Sequence, residues 1–229
     1  MPNTNWLAAL PADRLIAEYS MWSADLIRLA DDLARIEGHA DMLHVDVADG
    51  HFAPALLFFP DLVARMRSAT SIPIHVHLMV ADTVLLEQVA QFADSGADLI
   101  SVHVENAAVA DEALDLIRGR GIAAGMVLRV ETPVATCRPY LDRLDFLTLL
   151  GTAIGVKGQG LDPAATDRLK EANALIGETG RRIVLAADGG IRENTVPFLR
   201  SAGAETVVMG SLAFGADDLP ARMRWLHAL

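Results

Sequence analysis

"GHADMLHV" (residues 38–45) sets the pattern from which the fold can be predicted. It runs from a glycine through small and polar residues into apolar ones, which is typical of a helix end, a tight turn and a buried strand. The same order returns in "SGADLISV" (residues 95–102) and "AGAETVVM" (residues 202–209). A unit that recurs in this way predicts alternating strands and helices, with the strands parallel in one sheet.

Eight segments have the length and the apolar content of buried strands. They are Leu15–Met21, Met42–Val47, Ile74–Met79, Leu99–His103, Ala123–Leu128, Phe146–Leu150, Ile183–Ala187 and Thr206–Met209. Amphipathic segments lie between them, as at residues 23–38 and 83–96. Eight β–α units predict an α/β fold, a (β/α)8 TIM barrel, as a single domain over residues 1–229. An open doubly wound sheet is the alternative, but no GxGxxG follows the first strand.

The composition favours a small-molecule partner in the cytoplasm. The chain has 19 basic and 30 acidic side chains, and its formal net charge of -11 disfavours nucleic acid and anionic membranes as partners. No run approaches the roughly 20 apolar residues of a membrane helix, and the N-terminus lacks the pattern of a secretion signal. The single cysteine, Cys137, excludes an internal disulfide and has no metal-ligand spacing around it.

Two polar residues share one face at the end of the second predicted strand. In "HVDVADGHF" (residues 44–52), side chains alternate along the extended chain, so His44 and Asp46 point the same way. If that face lines the mouth of the barrel, burial of both groups is costly unless they bind a metal or each other. This spacing alone leaves both a metal site and a hydrogen-bonded pair open.

Two further strand ends carry groups of the same kind. His75 and His77 share a face in "IPIHVHLMV" (residues 72–80), and "IVLAADGGI" (residues 183–191) runs from a buried strand into Asp188. A barrel brings such strand ends to one mouth, where two imidazoles and two carboxylates suit Zn²⁺, Fe²⁺ or Mn²⁺. The sequence therefore predicts one divalent cation per chain, with Zn²⁺ as the first expectation.

Five motifs together resemble the ribulose-phosphate 3-epimerase family. They are "HVDVADGHF", "VHLMV", "SVHVE", "ADGGI" and "VVMGSLAFG", which occur in the family's order between about Ile16 and Gly215. The resemblance implies a metal-dependent barrel that inverts C3 of a ketose phosphate, with conversion of D-ribulose 5-phosphate to D-xylulose 5-phosphate as the first expectation. It also implies a homo-oligomer in which His44, Asp46, His77 and Asp188 are metal ligands and Asp46 and Asp188 are the catalytic acid and base.

The chemistry of this reaction explains the residue types. Inversion at C3 beside a C2 ketone removes a proton on one face and returns one on the other, which two opposed carboxylates can do. The enediolate between these steps carries negative charge, which a divalent cation stabilises through the C2 and C3 oxygens. One aspartate is expected to be ionised as the base and the other protonated as the acid, with the roles exchanged in the reverse direction.

A sugar phosphate also needs an anion site and contacts along the sugar. Glycine-bearing loops follow the sixth, seventh and eighth predicted strands, where barrels of this kind often bind phosphate. The predicted substrate-binding residues in these loops are Gly155, Lys157, Gly158, Gly189, Gly190, Gly210 and Ser211. By resemblance, Ser20 in "YSMWSADL", His77 and Met79 contact the substrate as well.

Several positions depart from the family pattern. Lys157 stands where the loop "NPGFGGQ" has glycine, Ala48 and Leu150 stand where methionines are usual, and His75 replaces an aspartate. These positions surround the expected sugar site, whereas the predicted ligands and proton carriers match the family. The departures therefore bear on the identity of the substrate more than on the type of reaction. Allulose 6-phosphate or a tetrulose phosphate is therefore an alternative substrate. The remaining histidines of the site, His51 and His103, are expected to support it from behind.

Two other functions of phosphate-binding barrels fit this sequence less well. Related lyases, such as decarboxylases and hexulose-phosphate synthases, usually carry "DxKxxD" after a strand, whereas this chain has "HVDVADG" without a lysine. A barrel that only binds sugar phosphates or a protein partner has no need of both aspartates and both histidines. An isomerase, a metal-dependent 3-epimerase, is the predicted function.

Overall fold

Eight parallel strands form a closed barrel in the computed structural model, which describes residues 5–229. With one short additional strand, the sheet has nine: β1 (Ile16–Ser20), β2 (Met42–Asp49), β3 (Leu56–Leu57), β4 (Ile74–Met79), β5 (Leu99–His103), β6 (Ala123–Leu128), β7 (Phe146–Leu150), β8 (Val184–Asp188) and β9 (Thr206–Met209). The short β3 lies outside the ring and pairs antiparallel with the end of β2. The predicted barrel is confirmed, and all eight predicted strands are present to within two residues of their expected ends.

The ring closes because β1 pairs in parallel with both the second and the last strand. Ser20 of β1 is in register with His44 of β2, and Tyr19 is in register with Met209 of β9. On the other side of β2, His44 is in register with His75 of β4. These registers place the inward side chains of β1, β2 and β4 at matching heights in the barrel.

Helices connect the strands around the outside of the barrel. They are α1 (Asn5–Ala9), α2 (Leu29–Ile36), α3 (Pro60–Ala69), α4 (Asp82–Asp94), α5 (Ala110–Gly119), α6 (Ala165–Thr179), α7 (Val196–Ser201), α8 (Ser211–Phe214) and α9 (Leu219–His227). Two 3₁₀ helices, Met21–Ser23 and Val134–Arg143, complete the connections, and the second contains Pro139, which cannot donate an α-helical hydrogen bond. Within residues 5–229, no helix is long and apolar enough to cross a membrane.

The helix expected within residues 23–38 is shorter than the amphipathic pattern and begins at Leu29. The chain before it forms a turn, because the carboxylate of Asp25 accepts a hydrogen bond from the N–H of Ile27 at 3.2 Å. The N–H of Asp25 in turn donates to the carboxylate of Asp32 at 2.7 Å. Local hydrogen bonds of this kind compete with helix formation.

The side chains that alternate along the strands form two apolar layers. Outward residues such as Val45 and Leu147 pack in the main core, which also contains helix residues. Inward residues near the N-terminal ends of the strands form a separate cluster: Ile16, Met42, Leu99, Ala123, Phe146, Val184 and Ala186. Trp6, Leu7 and Leu10, in and just after α1, pack against this cluster and cover that end of the barrel.

Further along the strands, the inward side chains become polar. Glu18, His44, His75 and Ser101 are fully buried, and Asp46, His77 and His103 are buried beyond them. Such groups are costly to bury unless they bond to one another or to a ligand. In (β/α)8 barrels the reactive groups lie at the C-terminal ends of the strands, which is where this polar layer lies.

Gly125 of β6 leaves the space that the side chain of Ser101 occupies on the neighbouring β5. A Cβ atom at residue 125 would lie 2.0 Å from Oγ of Ser101. Because both strands are fixed by pairing within the barrel, we expect Gly125→Ala to lower the free energy of unfolding by about 1–3 kcal/mol. Urea unfolding followed by circular dichroism measures this change.

Gly119→Ala in α5 is the matched control for Gly125→Ala. Nothing lies within 4 Å of a Cβ atom at residue 119. Alanine is also the better helix former, so this variant should be unchanged or more stable by up to about 1 kcal/mol. Equal stabilities of the two variants would contradict the tight fit between Ser101 and Gly125.

Candidate active site

A cavity of about 320 Å³ opens at the C-terminal ends of the strands. Every predicted site residue except His44 lines it: Ser20, Asp46, His77, Met79, Gly155, Lys157, Gly158, Asp188, Gly189, Gly190, Gly210 and Ser211. His44 is fully buried and reaches the floor of the cavity from below. The strand ends chosen from the sequence therefore do converge on one site.

Four donor atoms meet at the floor of this cavity. Nε2 of His44 lies 3.2 Å from Oδ1 of Asp46 and 3.4 Å from Nδ1 of His77. Nδ1 of His77 is also 3.2 Å from Oδ1 of Asp46. Oδ2 of Asp188 lies 3.8 Å from Nε2 of His44 and 3.9 Å from Nδ1 of His77. All four atoms lie within 4.8 Å of one another, so they form one cluster.

This cluster fits a divalent cation. Two imidazole nitrogens and two carboxylate oxygens are the donor set that Zn²⁺ and related ions accept, and a tetrahedral Zn²⁺ with bonds of about 2.1 Å holds its donors roughly 3.4 Å apart. The donor atoms of His44, Asp46 and His77 lie 3.2–3.4 Å apart, at or slightly below that spacing. The distances from Asp188 to the two histidines, 3.8 and 3.9 Å, are somewhat above it. The four residues could hold one metal ion with small adjustments of their side chains.

The two carboxyl groups of the cluster have different proton affinities in the protein without a metal. Burial raises the pKa of Asp46, but the charge of His44 and hydrogen bonds from His44 and His77 outweigh burial and hold the pKa of Asp46 well below its usual range. For Asp188, burial dominates and raises the pKa to about 6, and the negative charge of Asp46 adds to the increase. At neutral pH Asp46 is the stronger acid and is held as the carboxylate.

His44 lies between two carboxylates, one at each ring nitrogen. Burial lowers the pKa of His44, but the charges of Asp46 and Glu18 outweigh burial and raise the pKa well above its ordinary value. Nδ1 of His44 lies 2.7 Å from Oε1 of Glu18, opposite the nitrogen that faces the cluster. A metal-binding histidine is commonly oriented in this way by a carboxylate behind it.

A second buried layer lies beneath the cluster and contains a residue that was not predicted as part of the site. Glu18 is fully buried and its Oε1 lies 2.5 Å from Nδ1 of His75, whose Nε2 lies 2.7 Å from Oγ of Ser101. Burial lowers the pKa of His75 to about 4 despite the opposing effect of Glu18, so the imidazole is neutral. A charged residue in the middle of "IAEYS", in phase with inward Ile16 and Ser20, is the sequence signal that could have revealed Glu18.

His77 is also held from behind, by a longer chain. Its Nε2 lies 2.8 Å from Nε2 of His103, and Nδ1 of His103 lies 2.9 Å from Oε2 of Glu105. When Nδ1 of His77 presents a lone pair to a cation in place of its hydrogen bond to Asp46, one proton on each ring satisfies the chain: His77 donates to His103 and His103 donates to Glu105. The supporting position expected for His103 agrees with these contacts. His51, by contrast, is exposed, and its backbone N–H donates to Asp49.

The outer part of the cavity contains groups that bridge its walls. Nζ of Lys157 donates to the backbone oxygen of Trp22 at 2.5 Å and lies 4.6 Å from the centre of the Trp22 ring. This contact joins the loop after β7 to the 3₁₀ helix after β1. Trp22, Thr152, Gln159 and Arg192 also line the cavity and were not predicted, although Trp22 lies in "YSMWSADL" and Gln159 directly follows the predicted Gly158.

Residues 16–214 match the sequence model of the Ribulose-phosphate 3 epimerase family. Ribulose-phosphate 3-epimerase 1 of Cupriavidus necator is 39% identical over 204 residues, which cover 87% of this chain and 84% of that protein. The ribulose-phosphate 3-epimerases of Escherichia coli strain K12 and Bacillus subtilis are 36% and 34% identical over 201 residues, with 87% of this chain covered in each case and 88% and 92% of those proteins.

Solved structures of other barrels share the fold at low sequence identity. The 3-keto-L-gulonate-6-phosphate decarboxylase of Vibrio cholerae superposes with a TM-score of 0.69 at 12% identity, covering 93% of this chain and 99% of that one. A 3-hexulose-6-phosphate synthase gives a TM-score of 0.64 at 18% identity, covering 93% and 96%. Likeness at this level of identity concerns the barrel alone.

The support behind His77 predicts how stability depends on pH. Burial raises the pKa of Glu105, but hydrogen bonds from His103 and Thr132 outweigh burial and lower the pKa to about 2, from 4.5 for the free group. A carboxyl group with a depressed pKa stabilises the fold above its unfolded pKa, and this contribution is lost as the pH falls from 4.5 towards 2. We expect Glu105→Gln to lower the free energy of unfolding by about 2 kcal/mol at pH 7.

The difference between wild type and Glu105→Gln should shrink as the pH is lowered through this window. Urea unfolding in the presence of a chelator, at several pH values between 7 and 3, measures it without interference from metal release. Glu131→Gln is the control, because Glu131 is exposed on the loop that follows β6. A difference that stays constant with pH would contradict the assignment of a depressed pKa to Glu105.

Proposed function

Because this chain belongs to the ribulose-phosphate 3-epimerase family, we propose that it inverts C3 of a ketose phosphate and converts D-ribulose 5-phosphate to D-xylulose 5-phosphate. As a member of this family the protein is an isomerase that acts on a carbohydrate. The observation that carries the proposal is the pair of Asp46 and Asp188, two carboxyl groups whose pKa values are shifted in opposite directions, beside two buried histidines.

In the proposed reaction, Asp46 and Asp188 act on opposite faces of C3. Asp46 ends up ionised at neutral pH, so it removes the C3 proton from one epimer, while Asp188 in its protonated form returns a proton to the other face. Oγ of Ser20 donates to Oδ2 of Asp46 at 3.2 Å and so holds the base in place. The two aspartates lie on β2 and β8, which are separated in the ring by β1 and β9.

The proposal includes one divalent cation per chain, with Zn²⁺ first and Fe²⁺ or Mn²⁺ as alternatives. His44, Asp46, His77 and Asp188 would hold it, since their donor atoms already lie together. When bound there, the cation supplies a positive charge for the negative charge that develops on the C2 and C3 oxygens. His44, Asp46 and His77 are buried, and a site with little solvent around it strengthens this electrostatic effect.

We propose that the phosphate of the substrate binds to the loops that follow β8 and β9, at Gly189, Gly190, Gly210 and Ser211. Gly189 and Gly190 have φ angles of +88° and +69°, and a Cβ atom at residue 190 would lie 2.7 Å from the backbone of Leu161. Only glycine fits this turn, which brings backbone N–H groups close to an anion. Lys157, Gly155 and Gly158 would cover the sugar from the loop after β7, and Met79 would line the pocket below it.

The wider setting of the protein remains a prediction from composition and resemblance. We propose a cytoplasmic enzyme that acts on free sugar phosphates, without nucleic acid or membrane as a partner, and that assembles as a homo-oligomer. The net charge of -11 supports a small-molecule substrate held at a local anion site. Light scattering of the purified protein measures the number of chains in the assembly.

Incubation with D-ribulose 5-phosphate in heavy water tests the proposed reaction. Proton transfer through carboxyl groups that exchange with solvent should place deuterium at C3 while D-xylulose 5-phosphate forms, and both are followed by NMR. Allulose 6-phosphate and a tetrulose phosphate complete the panel, because Leu150 lines the cavity and Ala48 packs with Met79, which also lines it, and both stand where the family usually has methionine. Chelator-treated protein should lose the activity and recover it when Zn²⁺, Fe²⁺ or Mn²⁺ is added.

The panel separates the substrate from the reaction. Faster turnover of another ketose phosphate than of ribulose 5-phosphate would change the substrate but keep the chemistry. Absence of C3 exchange with every member of the panel, in metal-loaded protein, would contradict the proposed epimerase activity. Full activity in protein that contains far less than one metal ion per chain would contradict the metal site.

Substitution of each aspartate tests the two-base mechanism. We expect Asp46→Asn and Asp188→Asn each to lower the rate of epimerisation by about 10³-fold or more, because each removes one proton carrier. A variant that keeps the metal should still exchange C3 hydrogen in one epimer only, and the two variants should differ in which epimer that is. NMR of each pure epimer in heavy water measures this exchange.

Asp49→Asn is the control for these variants. Asp49 is the last residue of β2 and accepts hydrogen bonds from backbone N–H groups of His51, Phe52 and Ala81, outside the cavity. Metal content is determined for every variant, so that loss of the ion is distinguished from loss of the base. Near-normal epimerisation by either Asp46→Asn or Asp188→Asn would exclude the two-base mechanism.

A further inference from the structure

Glu18 is a buried carboxylate that the proposed proton transfers do not use. It lies in the middle of β1, between inward Ile16 and Ser20, and none of its surface is exposed. It does not line the cavity, so it does not touch a bound substrate. A charged group so deep in a barrel is costly unless its contacts have a use.

Both hydrogen bonds that Glu18 accepts converge on one of its oxygens. Oε1 lies 2.7 Å from Nδ1 of His44 and 2.5 Å from Nδ1 of His75, while Oε2 has no partner among the described residues. The two rings are nearly perpendicular, at 80°, with their centres 4.8 Å apart. The carboxylate therefore serves as a shared acceptor for two imidazoles from neighbouring strands.

The contact with Glu18 determines which nitrogen of His44 keeps its proton when the ring gives up the other proton to bind a cation. An ionised carboxylate can only accept, so Nδ1 of His44 must donate to it, and a neutral imidazole then presents a lone pair at Nε2. That Nε2 is the atom that faces Asp46 and His77 in the cluster. The wrong tautomer would direct an N–H at the cation and leave Nδ1 without a donor for Glu18.

Glu18 is itself held in place by a second chain of hydrogen bonds. His75 donates from Nδ1 to Glu18 and can accept at Nε2 from the hydroxyl of Ser101, 2.7 Å away. Ser101 keeps its position because Gly125 has no side chain at the point of contact. All three residues, Ser101, His75 and Glu18, are fully buried, so solvent does not compete for these bonds.

We propose that Glu18 is a positioning residue that fixes the tautomer and orientation of His44 and thereby sets the affinity of the site for its cation. The inference rests on the metal site of the proposed function and assigns within it a role to Glu18, with His75 and Ser101 as its brace. A carboxylate behind a ligand histidine makes the imidazole a stronger donor, and loss of such a group typically weakens metal binding by 10–100-fold.

Glu18→Gln in the full chain tests this role, because it keeps the size of the side chain and removes the charge. We expect the Kd for Zn²⁺, measured by competition with a chromophoric chelator, to rise by about 10–100-fold. In the Zn²⁺-loaded protein, ¹⁵N NMR of the imidazoles should show His44 protonated on Nδ1 in wild type. The same signals should shift in Glu18→Gln, where the acceptor is weaker and the tautomer is less firmly fixed.

Two further variants keep the test decisive. His75→Gln removes one donor but leaves the Glu18–His44 contact, so the His44 signals should stay near those of wild type and the Kd should change less than in Glu18→Gln. Glu18→Asp keeps the charge but shortens the side chain by one C–C bond, so the carboxylate lies roughly 1.5 Å further from His44. It should give an intermediate Kd, and it replaces Glu18→Gln if that variant fails to fold. Thermal unfolding without metal shows that each variant used is folded.

The outcomes distinguish this inference from the proposed function beneath it. A wild-type protein that binds no Zn²⁺, Fe²⁺ or Mn²⁺ would overturn the metal site and the role of Glu18 together. If wild type binds Zn²⁺ and folded Glu18→Gln has a Kd within about twofold of it, with unchanged His44 signals, the metal site stands and the positioning role is wrong. A weaker Kd in Glu18→Gln together with shifted His44 signals supports both.

Discussion

Pairing of β1 with β2 closes the barrel, and the rest of the site depends on that contact. Because Ser20 is in register with His44, the inward residues of β1 lie beside those of β2 at the same heights. Each of two inward side chains of β1 then contacts the inward residue of β2 that lies two positions beyond its register partner: Ser20 donates to Asp46, and Glu18 reaches His44. An open sheet of the same strands would leave β1 and β2 without this shared interior, and the donor atoms would face solvent.

Closure also separates the polar interior into layers with different tasks. The cluster at the floor of the cavity offers donor atoms to a ligand, whereas the layer beneath it holds the cluster in place by hydrogen bonds. Both histidines of the cluster are supported in this way, His44 directly by Glu18 and His77 through His103 to Glu105. The difference between Asp46 and Asp188 follows from the same arrangement, since Asp46 lies closer to both imidazoles and Asp188 lies further away.

Much of this architecture could be predicted from the sequence, because apolar strands, small turns and polar strand ends are local patterns. The eight strands and the four cluster residues belong to that class. The support by Glu18 could not be predicted, although "IAEYS" shows a charge in an apolar strand, because its partners His44 and His75 are fixed only by strand register. Nor does the sequence indicate that helix α2 begins as late as Leu29, since a turn of local hydrogen bonds replaces its expected start.

The apolar cover at the N-terminal ends of the strands has a consequence for how substrate and product reach the site. Trp6, Leu7 and Leu10 pack on the inward cluster around Phe146 and cover one end of the barrel, so within residues 5–229 the cavity opens at the C-terminal ends of the strands. Substrate and product enter and leave through this opening, past the contact between Lys157 and Trp22. Because both epimers use the same route, a bound product excludes the next substrate, and the two epimers compete for the cavity.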